Sequence, residues 1–377
     1  MIETLLIFGI VLIVFGIYYF NYVAHYPVVH HAKNKYHKKL VSRCKILSEK
    51  YYPTFWCFNN HLMLIVLLLN EFRSKVYAYD SIDRLEMSDG GLTGLAWSAT
   101  GTAYRTKGTP IVIIFHTISG DEQDVKTIVR YIKEELGWIA VVCIRRGHGN
   151  IPLRTPKINT MGSTSDLREQ LDFISRKFPS SLLFGVGLSA GSGLIAQYLG
   201  EEGLKSRFVA AVAVSPAYDI EKAFHRVHPF YNKMMGQRLI NFFLKRHYES
   251  LSGVKGFMES MNSNNIGEFQ DRIHSFAGFD SKEEYYRLSN PINVIHNIKT
   301  PLLVLNSEDD PICVDENVQE NLHWVDKLPH STLIHTKRGS HIAFFEGIRA
   351  RSWSDRVIGE YFKTILSTRK NFRKKKP

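Results

Sequence analysis

Cysteine is scarce: Cys44, Cys57, Cys143 and Cys313 are the four in 377 residues. No two of them form a CxxC pair, so that class of redox or thiolate metal motif is excluded. Cys143 lies in an apolar run and reads as a buried thiol. The chain has no N-x-[ST] sequon, which disfavours a glycosylated lumenal domain. No internal repeat or low-complexity segment stands out. Net charge is also missing from most of the chain. The total is +12, yet residues 28–50 carry +6 and residues 369–377 carry another +6. The remainder is neutral, so a basic face for nucleic acid is not expected. Charge confined to two stretches suits an anionic membrane leaflet.

What is present reads as globular: 44% of residues are hydrophobic and 22% charged. The length suits one large α/β domain with additions, or two ordinary domains. One stretch stands apart. Thr4 to Ala24 holds 21 residues without a charge. At about 1.5 Å per residue it covers a hydrocarbon core of about 30 Å. Tyr18, Tyr19, Tyr22 and Tyr26 gather at its end, where an aromatic belt belongs. No basic n-region precedes it and no small-x-small site follows, so an anchor is expected over 1–27 rather than a signal peptide. The basic block after it predicts a cytoplasmic body. The closing KKKP resembles a di-lysine retrieval signal of the endoplasmic reticulum. A second apolar run, Leu62 to Leu69, is too short to cross a bilayer and reads as a buried or a membrane-facing helix.

From residue 110 onward, short Val/Ile/Leu runs alternate with helical stretches. The runs are TPIVIIF, WIAVVCI, SLLFGVG, FVAAVAV, PLLVLN and STLIHT. Such runs fit parallel strands buried on both faces, and the alternation predicts a doubly wound, mostly parallel sheet. The interval from about 220 to 297 breaks the rhythm. Its His, Phe, Tyr and Met content reads as a helical lid insertion between two strands. The expected organisation is therefore an anchor (1–27), a basic juxtamembrane extension (28–109), a core (110–366) and a basic tail (367–377).

GLSAG, residues 187–191, follows a predicted strand and opens a predicted helix. A nucleophile elbow requires that setting, because small neighbours let strand and helix close around a sharp turn. Ser189 is the candidate nucleophile. A serine hydroxyl needs a base to take its proton. Downstream, EDDP offers Asp309 and Asp310, and GSHIAFFEG offers His341. Asp310 is the preferred acid because it directly precedes the turn at Pro311; Asp309 stays open. His335 lies within a strand pattern and is the weaker base. The oxyanion hole is expected from the N–H of Ala190 and of Ile118 or Thr117 in HTISG. Arg145 and Arg146 of RRGHG read as a structural loop, with phosphate binding as the alternative.

These segments resemble the membrane-anchored α/β-hydrolase-domain proteins, the fourth family of the AB hydrolase superfamily. The resemblance rests on YYPTFWCFNNHL, SDGGLTGLAW, HTISG, RRGHG, GLSAG, EDDP, FDSKEEYYRLSN and GSHIAFFEG, in order, from residue 51 to 347. Thr117 stands where the family has glycine, and Ala96 where it has an acid. The resemblance implies an α/β-hydrolase fold with catalytic Ser189, Asp310 and His341, and hydrolysis of monoacylglycerol or phospholipid acyl esters. It also implies a body on the non-cytosolic side, against the charge reading. No metal or organic cofactor is expected, and the partners are a lipid ester and a membrane. The alternatives are an acyltransferase or thioesterase using the same triad, with HTISGD also matching an H-x4-D acyltransferase pattern of only two fixed positions, and a non-catalytic ligand receptor.

Overall fold

The computed structural model describes residues 1–73 and 75–373. Among them are β1 (Val28–His31), β2 (Ser81–Glu86), β3 (Leu92–Ser98), β4 (Ile111–Phe115), β5 (Ile139–Ile144), β6 (Leu183–Leu188), β7 (Phe208–Val214), β8 (Leu302–Ser307) and β9 (Ser331–Thr336). They form one sheet in the order β1-β9-β8-β7-β6-β4-β5-β3-β2. Strands β4 to β9 are mutually parallel and coincide with the six apolar runs. Their side chains are buried on both faces. Val112 and Ile114 enter one apolar layer, while Ile111, Ile113 and Phe115 enter the other. Each such burial contributes about 1.5–3 kcal/mol, so a polar residue in these runs would be costly.

The main helices are α1 (Ile2–Tyr18), α2 (Asn60–Arg73), α3 (Lys126–Tyr131), α4 (Thr164–Lys177), α5 (Ala190–Glu202), α6 (Pro229–Leu239), α7 (Asp315–Lys327) and α8 (Trp353–Arg373). Ile128 of α3 and Val357 of α8 cover the first layer. Leu167 of α4, Leu194 of α5 and Val318 of α7 cover the second. Helices on both faces complete the doubly wound α/β arrangement.

Three strands lie in the stretch read as an extension. β3 pairs antiparallel with β5 and with β2, and β1 pairs antiparallel with β9. They complete both sides of the sheet. Exposed positions alternate along β2, as an edge strand requires. Ala96 is fully buried in β3 opposite Val142, in a place where a carboxylate would have no water. α8 continues to Arg373, through much of the stretch read as a basic tail; the KKKP end lies outside the described residues.

α1 continues through a π turn to Val23, giving one helix of 22 residues that is long and apolar enough to cross a membrane. Its side chains are exposed nearly all round. Between β7 and β8, helical segments run from Ile220 to Asn297 around a separate apolar cluster that includes Phe243, Phe269 and Phe276. The insertion leaves the sheet from β7, the neighbour of β6, and rejoins it at β8 on the other side of β7. From β4 the chain goes to β5 and then crosses back to β6, so a crevice opens at the carboxyl ends of β4 and β6.

Candidate active site

Ser189 occupies the turn between β6 and α5, with φ 52° and ψ −116°. A non-glycine residue in this region is strained and persists only when its surroundings hold it. Here the surroundings are two glycines. A β-carbon on Gly187 would run into the Gly191 carbonyl, and one on Gly191 would run into the Phe115 carbonyl. Their absence lets α5 approach β6 and β4. Ser189 N–H donates to the Val214 carbonyl at 2.9 Å, tying the turn to β7.

His341 Nε2 lies 2.7 Å from Ser189 Oγ, and His341 Nδ1 lies 2.8 Å from Asp310 Oδ2. His341 and Asp310 are buried and Ser189 is half-buried. Asp310 Oδ1 accepts from the N–H groups of Ile312 and Cys313, each at 2.8 Å. Those bonds orient the carboxylate toward the imidazole. Asp309 does something else. Its Oδ1 accepts from Ser340 N–H at 2.9 Å, and burial pushes its carboxyl up to about 6. His335 stays in β9 with Nε2 2.9 Å from Asp315 of α7.

Ala190 is the first residue of α5, where helix N–H groups have no intrahelical acceptor. Ile118 and Ala190 together line two adjoining cavities at the crevice. The one beside Ser189 is apolar, walled by Met161, Phe224, Val227, Met235 and Ile312, and measures about 20 Å³. That is room for little more than one solvent molecule. Thr117 does not line either cavity; its carbonyl lies 2.9 Å from His116 Nδ1.

The paired arginines divide. Arg146 makes two 2.7 Å contacts to the Asp166 carboxylate and a third, also 2.7 Å, to Asp89. Its guanidinium covers Gly91, where a β-carbon would collide with it; this accounts for the DGG segment. Arg145 is buried and donates to the His116 carbonyl at 2.7 Å. Burial pulls its guanidinium down to about 10. Arg145 N–H also donates to His116 Nε2 at 3.3 Å. Burial and the Arg145 charge hold His116 well below the histidine range. With both ring nitrogens engaged, His116 of the HTISGD pattern has none left for a substrate proton. His148 packs on His116 with ring centroids 5.0 Å apart, and its Nε2 lies 3.1 Å from the Ile118 carbonyl.

Four contributors carry no signal in the sequence. Ser215 has φ 50°, and its Oγ accepts from Ile342 N–H at 3.2 Å. Ser340 and Ile342 flank His341 with φ 50° and 54°, so the histidine sits between two left-handed residues. Asn60 donates to the Asp309 carbonyl at 2.9 Å. The donor atoms of Asp310, Cys313 and His341 lie within 4.8 Å of one another, and hydrogen bonds to Ser189, Ser215 and the backbone already engage them.

The sequence profile of the Hydrolase_4 family, described as serine aminopeptidase, S33, matches residues 107–347. "Phospholipase ABHD3" of Homo sapiens is 25% identical over 369 residues, covering 94% of this chain and 88% of its own. "Monoacylglycerol lipase ABHD2" of Danio rerio is 26% identical over 344 residues, covering 85% and 79%. Among solved structures, Est1E from Butyrivibrio proteoclasticus with ferulic acid superposes with a TM-score of 0.51 at 14% identity, covering 75% of this chain and 98% of that one. The last likeness concerns the fold alone.

Proposed function

Because the chain belongs to the Hydrolase_4 family (serine aminopeptidase, S33), we propose that the Ser189 site hydrolyses carboxylic esters of lipids, monoacylglycerols or the acyl esters of phospholipids. The observation that carries this reading is the line Ser189 Oγ–His341–Asp310, with contacts of 2.7 and 2.8 Å. Two relatives bear names for lipid substrates, and the cavity beside Ser189 is apolar, as an acyl chain requires.

Ser189 Oγ attacks the ester carbonyl and His341 Nε2 takes its proton. The N–H groups of Ala190 and Ile118 receive the oxyanion. As the tetrahedral adduct collapses, His341 returns the proton to the departing alcohol, leaving acyl-Ser189. Water then repeats the sequence and releases the fatty acid. Asp310 holds the imidazole in the tautomer with hydrogen on Nδ1 and stabilises its charge. The 220–297 insertion acts as the lid and must shift to admit an acyl chain to so small a cavity.

The apolar helix 2–23 is the anchor in this reading, and the basic flank of residues 28–50 supports a cytosolic body. The endoplasmic reticulum is the compartment that the KKKP motif addresses; imaging a Lys374→Ser/Lys375→Ser variant tests it. Covalent labelling by a fluorophosphonate tests the chemistry. Labelling of the solubilised protein that vanishes in Ser189→Ala is expected. Folded wild-type protein that resists the reagent would leave a ligand receptor in its place.

A further inference from the structure

We propose that α2 is a second membrane element. It lies in the surface of the bilayer that α1 crosses and connects that surface to the catalytic loops. The proposal rests on the reading that α1 spans the bilayer.

α2 is apolar on the wrong side for a soluble helix. Leu62, Ile65 and Leu69 are exposed, with Ile65 at 51%. Spacings of three and four place them in one stripe. Contiguous exposed aliphatic stripes mark interaction surfaces.

The position of α2 names its occupant. Phe58 packs on Phe15, Tyr18 and Tyr19 at the C-terminal end of the spanning helix, with ring centroids 6.2–6.4 Å apart. Only Asn59 separates Phe58 from the first residue of α2. α2 therefore begins at the depth where α1 leaves the hydrocarbon. Just before it, Trp56 is half-exposed, and its indole N–H donates to the Ile348 carbonyl at 2.8 Å. An indole with an apolar body and a satisfied polar edge suits the headgroup boundary. On the other flank, His61 Nδ1 lies 2.8 Å from Tyr231 OH of α6. α6 presents exposed Phe230 and Met234, in a groove shared with Lys233 and Arg238. Apolar tips beside cations fit acyl chains beneath anionic headgroups.

The inner face of α2 reaches the site. Met63 and Val66 pack with Ala343 and Phe345, which follow His341 by two and four residues. Asn60 holds the Asp309 carbonyl, next to the triad acid. Leu64 joins the cluster of the insertion. One helix thus touches the bilayer on one side and the base loop, the acid loop and the insertion on the other.

The four native cysteines are buried, so an added surface thiol is labelled selectively. Full-length Ile65→Cys carrying bimane is reconstituted into phosphatidylcholine vesicles containing acyl-chain-brominated phosphatidylcholine. Leu204→Cys serves as the control, because Leu204 is exposed at the far end of α5. The expected result is quenching at residue 65 and none at 204. In Ile65→Ser/Leu69→Ser, turnover of a long-chain monoacylglycerol in vesicles falls about tenfold, the effect of about 1.4 kcal/mol of lost insertion. Turnover of a water-soluble short-chain ester stays unchanged, as does fluorophosphonate labelling. Protein that floats with the vesicles while residue 65 is unquenched overturns the proposal and leaves the anchor standing. Equal losses on both substrates overturn it too. Protein that does not float overturns both the anchor and α2, whereas failure of the esterase reading shows separately as loss of Ser189 labelling.

Discussion

Asp309 and Asp310 are adjacent in the chain and serve different partners. The Asp310 carboxylate faces the imidazole of His341 at 2.8 Å, while the Asp309 carboxylate accepts from the backbone of Ser340 at 2.9 Å. One orients the ring and the other fixes the loop that carries it. Asp310→Asn is expected to lower kcat by about four orders of magnitude with the fold intact, because the amide favours the wrong tautomer. Asp309→Asn keeps turnover within about tenfold and lowers the melting temperature instead. Steady-state hydrolysis of a soluble ester, run beside thermal melts, separates the two. Similar losses in kcat would reverse the assignment.

Gly191 gives a purely steric prediction. Gly191→Ala places a β-carbon against the Phe115 carbonyl, where no flexible side chain can give way. A destabilisation of about 1–3 kcal/mol is expected, with loss of Ser189 labelling as the turn relaxes. Chemical denaturation of the solubilised protein measures it.

Arg146 offers a test of buried charge. Removing it in Arg146→Met leaves Asp166 buried without its partner, at a cost of about 3–5 kcal/mol. Arg146→Met/Asp166→Leu removes both charges and recovers much of the loss. A double variant as unstable as the single one would show that Asp89 and Gly91 depend on the guanidinium itself.

The pH dependence of stability carries its own sign. Burial and Arg145 pull His148 from 6.5 down to about 3. Below 6.5 the unfolded chain takes up a proton that the folded chain refuses. The contribution of His148 is therefore fully present above about pH 6.5 and is lost as pH falls toward 3. Denaturation midpoints across that window should drop with acid. His148→Gln should flatten the slope.

The parallel strands were legible because burial on both faces leaves runs that need no pattern beyond Val, Ile and Leu. Gly187 and Gly191 were legible as an elbow because close packing there tolerates no side chain. β1, β2 and β3 were not read as strands: β1 and β2 are edge strands that carry polar residues and resemble loops, and β3, though buried throughout, has Thr93 and Gly94 interrupting what would otherwise be an apolar run. Asp310 is preferred in EDDP for its place before Pro311, but from sequence Asp309 stays open, because the choice depends on two N–H groups that meet Asp310 only after that turn. Ser215 is silent for the same kind of reason. Its partner Ile342 is 127 residues away, and only the closed sheet brings them together.

β1 has one more consequence. It begins at Val28, with four residues between it and the end of the apolar helix at Val23, and it is stitched to β9 over four paired positions. Four residues span at most about 14 Å. With α1 in a bilayer, the body is bolted to its post rather than leashed to it. In that reading so short a connection limits how far the site can rise or turn above the lipid.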